Sequence, residues 1–256
     1  AYYGKPATRH YFSGCSNGGR EAMREAQLYP EDYDGIVVGA PALDSTAILP
    51  TWGWNQQMIR AVPDGMELGD KLEAVEAAVI AQCDALDGVK DGVIDDPRRC
   101  GFKPASIACK AGEDHDECLT PGQVKVLEQL YAGPGAYAGY EHPGLEPGGQ
   151  TGAGGWRDLF DHWYGKSGQY NYVHEFLAYL TYHDASWEFS RFDFRKDRLE
   201  MRKRLGGIMD ATEPDLDAFL ARGGKMIIYH GWSDVALPPR GTVNFYEKLS
   251  AKLGPV

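Results

Sequence analysis

No apolar run in this sequence exceeds what a β-strand needs, Gly35-Ile36-Val37-Val38-Gly39-Ala40 and Met226-Ile227-Ile228-Tyr229 being typical. A helix that crosses a bilayer requires roughly 20 apolar residues, so no helical span and no membrane partner are expected. Positive charge is also scarce: 26 Lys and Arg face 37 Asp and Glu, for a formal net charge of −11. A phosphate backbone recruits Lys and Arg and would repel such a surface, which excludes nucleic acid as the expected partner. The C-x-x-C pairs that mark zinc sites are absent, although there are five cysteines. Ala1 is not an initiator Met, and no charged segment followed by an apolar signal core stands near it. The chain is therefore expected to begin inside a larger or processed protein.

What is present suits an ordinary globular protein. With 256 residues and 43% apolar content, the chain can bury one large core or two smaller ones. Cys83, Cys100, Cys109 and Cys118 fall in a stretch rich in Asp, Gly and Pro, where no long element would keep them apart. Two local disulfides, Cys83–Cys100 and Cys109–Cys118, are the simplest pairing. They imply an oxidising compartment, so a secreted or periplasmic protein is expected. Cys15 is left over.

The outer parts of the chain read as α/β units. Residues 9–13 are aromatic and β-prone, and residues 20–28 are strong helix formers stopped by Tyr29-Pro30. Residues 36–41 form an unbroken apolar run of the buried parallel-strand type, and 225–232 form another. Residues 241–252 have helical spacing. Residues 1–42 and 225–256 are thus expected to build a core with a parallel sheet, and 43–224 an inserted lid. Within that insertion, 68–82 and 122–131 read as helices and 133–155 is rich in glycine. An aromatic segment, 156–194, follows. Packing is its commoner explanation, a wall for a ring-bearing substrate the sharper one. Arg157, Arg191 and Arg195 are candidates to meet a substrate carboxylate.

Gly14-Cys15-Ser16-Asn17-Gly18 fits G-x-S-x-G. That pattern serves a strained strand-to-helix turn that lifts a serine hydroxyl clear of the backbone. In a chain with 32 glycines a chance match is easy, and placement between a strand and a helix is what gives this one weight. Ser16 is the candidate nucleophile, and the Asn17 N–H, at the positive end of the helix, is a candidate oxyanion donor. The acid in such hydrolases follows a later strand, which points to Asp234 in His230-Gly231-Trp232-Ser233-Asp234. None of the seven histidines lies beyond His230, and His230 is expected to support its loop. A complete triad therefore requires a histidine outside this chain.

Asp84, Asp87 and Asp91, with Asp95 and Asp96 close behind, suit a hard cation bound by oxygen ligands, and calcium is expected. The EF-hand pattern does not fit. A solvated acidic turn is the plain alternative.

Gly-Cys-Ser-Asn-Gly-Gly-Arg, Asp-Gly-Val-Lys-Asp-Gly-Val-Ile and Tyr-His-Gly-Trp-Ser-Asp together resemble the tannase and feruloyl esterase family over essentially the whole chain. The resemblance implies an α/β-hydrolase core carrying a large lid with a structural calcium. It implies Ser16 as nucleophile and Asp234 as acid. It further implies calcium on Asp84, Asp87 and Asp91 with the carbonyl oxygens of Val89 and Val93. It also implies a disulfide from Cys15 to a cysteine outside this chain, beside the catalytic histidine. The expected activity is hydrolysis of small esters of aromatic acids, feruloyl or galloyl, through an acyl-enzyme. Two other classes compete: a calcium-stabilised binding protein without catalysis, and a metallohydrolase using the Asp cluster on phosphoesters.

Overall fold

In the computed structural model, which describes residues 3–137, 140–152, 155–160 and 167–254, the chain opens with β1 (Tyr11–Cys15), α1 (Asn17–Leu28) and β2 (Gly35–Gly39). A long middle section holds α2 (Ser45–Arg60), α3 (Leu72–Cys83), α4 (Pro121–Ala132), the strands β3 (Gly135–Tyr137) and β4 (Tyr140–His142), α5 (Arg157–Phe160), α6 (Gly168–Glu175) and α7 (Phe194–Met209). It closes with α8 (Asp217–Ala221), β5 (Lys225–Tyr229) and α9 (Pro239–Leu253). Two compact units result. One is Ala1–Ser45, Ile208–Gly231 and Pro239–Val256; the other is Thr46–Gly207 and Trp232–Pro238. Among the described residues, no helix is long and apolar enough to cross a membrane.

The first unit is a three-stranded parallel sheet in the order β1-β2-β5. Tyr11, Gly35 and Lys225 stand in register at one end, and Cys15, Gly39 and Tyr229 at the other. Alternation along each strand sends Ile36, Val38, Met226 and Ile228 to one face. There they meet Ala22, Met23 and Ala26 of α1, Phe219 of α8, and Phe245 and Leu249 of α9. The opposite face shows Tyr11, Ile227 and Tyr229, which are 74%, 64% and 52% exposed. The two tyrosine rings lie across β2. A Cβ on Gly35 would meet the Tyr11 ring at 2.8 Å, and one on Gly39 the Tyr229 hydroxyl at 2.4 Å. Residues 208–224, expected from the sequence in the insertion, belong to this unit. Ala211 N donates to Leu43 O at 2.7 Å, and Leu216 and Phe219 enter its core.

The second unit is mostly helical, with β3 and β4 paired antiparallel. Disulfides Cys83–Cys100 and Cys109–Cys118 close two short loops in it. Thr120 starts α4 with a capping box: its hydroxyl accepts from Gln123 N, Gln123 Oε1 accepts from Thr120 N, and Pro121 fills the first helical position. The aromatic segment packs. Trp187 and Phe192 are buried with Leu49, Val173, Leu177 and Met201. Phe189 stacks between Tyr170 and Phe192, at centroid distances of 4.4 and 5.4 Å. Trp156 and Phe160 enter a second cluster with α3 and α4. Trp163, Tyr164 and His162, in the same expected segment, lie outside the described residues.

Candidate active site

The turn at Ser16 is set by backbone sterics. Ser16 has φ 62° and ψ −119°, a region that L-residues avoid and that costs about 1–3 kcal/mol. Surrounding bonds hold it there: Ser16 N donates to Gly39 O (3.0 Å), while Ser16 O accepts from Arg20 N (3.1 Å) and Ala42 N (3.2 Å). The neighbouring glycines are required by space rather than by φ. A Cβ on Gly14 would meet Gly18 O at 2.2 Å, and one on Gly19 would meet Gly39 O at 2.3 Å. The helix can therefore start directly behind the strand, and Ser16 remains exposed. Asn17 opens α1, so its N–H is one of the first-turn donors with no partner in the helix. Its side chain is occupied, donating to Glu21 (2.7 Å) and accepting from Arg20 (2.8 Å). Cys15 is an exposed free thiol.

Asp234 lies in the second unit. Its Oδ1 accepts from Ala236 N (3.0 Å) and Leu237 N (2.8 Å), a turn closed by the side chain itself. Residues 232–238, expected in the core, are built into the second unit. Val235 is 2% exposed and joins the cluster of α3 and α4, and Trp52 Nε1 donates to Ala236 O at 2.7 Å. His230, in the first unit, shares a 2.7 Å hydrogen bond between its Nδ1 and Thr242 Oγ1 on α9.

The acidic loop has the donors a hard cation takes, and its carboxylates already organise the backbone. Asp84 Oδ1 reaches across to accept from Asp91 N (3.3 Å) and Gly92 N (2.9 Å). Asp87 and Asp91 each accept from the N–H two residues on, Val89 at 2.8 Å and Val93 at 3.0 Å. Gly88 and Gly92, at φ 99° and 81°, permit the reversals. The donor chemistry fits calcium, with three carboxylates and a closed loop bearing carbonyls. Among the described residues, no three acidic, thiol or imidazole groups converge as a ready-made metal cluster. A bound ion would have to draw these carboxylates inward.

Of the three arginine candidates, Arg191 is paired with Asp184 at 2.9 Å, and Arg157 and Arg195 are exposed. The sequence reading missed two features of the second unit. One is Arg98, whose guanidinium lies 4.9 Å from the centroid of the Trp232 ring beside Asp234. The other is a buried His142–Arg198 contact, in which Arg198 Nε donates to His142 Nε2 at 3.0 Å. Burial and that cation push the imidazole pKa down to about 4. No local pattern in the sequence marks either pair.

The chain is similar to known proteins along nearly its whole length. The family described as tannase and feruloyl esterase matches residues 1–255. An uncharacterized esterase of Xanthomonas campestris pv. campestris is 36% identical over 98% of this chain and 46% of its own length. The mono(2-hydroxyethyl) terephthalate hydrolase of Piscinibacter sakaiensis is 33% identical over 98% of this chain and 50% of its own. The crystal structure of feruloyl esterase B from Aspergillus oryzae superposes with a TM-score of 0.83 at 25% identity, covering 97% of this chain and 49% of that one. This chain thus spans about half the length of the curated relatives it matches. The fold is an α/β-hydrolase core with a large helical insertion. A strained strand–serine–helix turn on a parallel sheet, with a match running nearly end to end, places the chain in the tannase and feruloyl esterase family.

Proposed function

We propose that the protein of which these residues form part is a serine carboxylic ester hydrolase acting on esters of aromatic acids. The observation that carries this reading is Ser16 at φ 62° between β1 and the N-terminus of α1. Ser16 Oγ attacks the ester carbonyl as its proton passes to a histidine supplied from outside these 256 residues. Asp234 orients that histidine. The oxyanion is held by the Asn17 N–H and a second donor. Collapse expels the alcohol, which takes the proton from the histidine, and leaves the acyl-enzyme. Water then attacks the acyl carbon and gives its proton to the histidine, which passes it to Ser16 Oγ as the acyl bond breaks and the acid leaves.

Calcium at Asp84, Asp87, Asp91 and the carbonyl oxygens of Val89 and Val93 is part of the same proposal, as a loop-stiffening ion with no chemical step. The acidic loop's hard donors and its closure support it. Cys15 is proposed to pair with a cysteine outside this chain. Two disulfides in the second unit support secretion or export to a periplasm. The names of the relatives suggest feruloyl and terephthaloyl esters as the substrates to try, and the tannase half of the family description adds galloyl esters.

The test compares the product of the complete gene with its Ser16→Ala variant on those three esters. Loss of at least about a thousandfold in kcat is expected; undiminished hydrolysis would overturn the assignment.

A further inference from the structure

The loop bearing Asp234 follows a strand of the sheet and is gripped by residues of the second unit. Its C-terminal half is anchored by burial. Val235 and Leu237 are 2% and 6% exposed, Val235 O accepts from Gln169 Nε2 (3.3 Å), and Ala236 O accepts from Trp52 Nε1 (2.7 Å). Its N-terminal half is held differently. Ser233 sits against Gly149, where a Cβ would meet Ser233 Oγ at 2.3 Å. Trp232 lies beneath the guanidinium of Arg98, 4.9 Å from its ring centroid. Asp234 stands between the two halves, so the direction of its carboxylate depends on both.

Arg98 is well placed to fix that first half because it is itself fixed. Asp96 takes it in a fork, Oδ1 from Nε at 2.7 Å and Oδ2 from Nη2 at 2.9 Å, while Oδ1 also accepts Arg98 N at 3.2 Å. That hydrogen-bonded guanidinium holds the Asp96 carboxyl below the usual range, as a persistent pair requires. Both residues lie in the loop closed by Cys83–Cys100. A planar guanidinium locked by a carboxylate and laid over an indole is a preorganised clamp, which a flexible lysine would reproduce only in part.

We propose that Arg98 is a positioning residue for Asp234, acting through Trp232. This rests on the reading of Asp234 as the acid of the triad, although its structural half can be tested without activity. The enzyme expressed from its complete gene is compared with Arg98→Ala, Arg98→Lys, Trp232→Phe and the Arg98→Ala/Trp232→Phe double variant. Hydrogen exchange at the Ala236 and Leu237 amides, which donate to Asp234, should quicken about tenfold in Arg98→Ala while the amides of β5 keep their rates. Ester hydrolysis should show kcat down about tenfold with KM within about twofold, partial recovery in Arg98→Lys, and a double variant no worse than the poorer single one. Unchanged exchange at those two amides overturns the clamp whether or not any ester is cleaved. Unchanged kcat in Arg98→Ala, with Asp234→Asn inactive, overturns the positioning role and leaves the esterase reading intact. If Ser16→Ala and Asp234→Asn both hydrolyse normally, the esterase reading fails and the role assigned to Arg98 fails with it.

Discussion

The two units bury different things. In the first, the core between sheet and helices is apolar, with Ala22, Met23, Ile36, Val38, Phe219 and Phe245 all but sealed from water. In the second, apolar clusters surround buried polar groups that must find partners. Gln56 Nε2 donates to Leu159 O (2.9 Å), Asn55 Nδ2 to Gln169 Oε1 (3.2 Å), and Arg198 to His142. Tyr182 donates its hydroxyl to buried Asp197, whose carboxyl is raised mainly by burial. An apolar core tolerates small shifts, because dispersion and burial have no direction. A hydrogen-bonded interior holds one arrangement and penalises the loss of any member. The unit that grips the Asp234 loop is of the second kind.

The contrast can be broken at Arg198. It is fully buried, and its replacement by Ala leaves acceptors such as His142 Nε2 without their donor. We expect Arg198→Ala to cost about 4 kcal/mol, and hydrogen exchange should place the loss in the second unit, at Val173 rather than Val38. Replacing Cys83 and Cys100 by serine should cost about 3 kcal/mol by releasing the unfolded chain. Chemical denaturation measures that loss, again without altering exchange in the sheet.

Acid sharpens the comparison. Arg198 donates to His142 Nε2, so the imidazole proton sits on Nδ1, 3.4 Å from Thr51 Oγ1. The folded pKa, about 4, lies below the ordinary 6.5, so folding favours the neutral ring. That contribution is complete above about pH 6.5 and is lost as pH falls towards 4, by up to about 3 kcal/mol. Thermal unfolding of His142→Gln across this range should show a flatter pH dependence. The smallest effect is a gain: Ser16→Gly relieves the left-handed strain and should stabilise the first unit by about 1 kcal/mol, with hydrolysis lost. Calorimetry at pH 7 would detect it.

Much of the first unit was legible because its constraints are local. The glycines at 14 and 19 around a serine are what a helix starting directly behind a strand demands, and the apolar runs announced β2 and β5. The errors were of register. β1 was expected over 9–13 and runs Tyr11–Cys15, because parallel pairing with Gly35–Gly39 selects the residues, which local propensity does not. In the second unit, the helix expected over 68–82 is α3 from Leu72, preceded by a tighter 3-10 stretch, Met66–Lys71. The contacts that matter there join residues far apart in sequence: Arg98 with Trp232, Trp52 with Ala236, His142 with Arg198. A single sequence carries no pattern for such pairs, since each alone reads as a surface cation, a ring or a turn. Calcium at the acidic loop stays a proposal that chelation can check, through a lowered melting temperature in EDTA that calcium restores.

The support of the Asp234 loop also bears on how substrate preference could be transplanted. A chimera that takes residues 46–207 from a relative and keeps its own 232–238 would seat that loop against foreign counterparts of Trp52, Arg98, Gly149 and Gln169. Exchanging both segments together keeps the loop with the walls that shaped it. The smallest transferable cassette is therefore discontinuous in the gene, although its two pieces form one body in the fold.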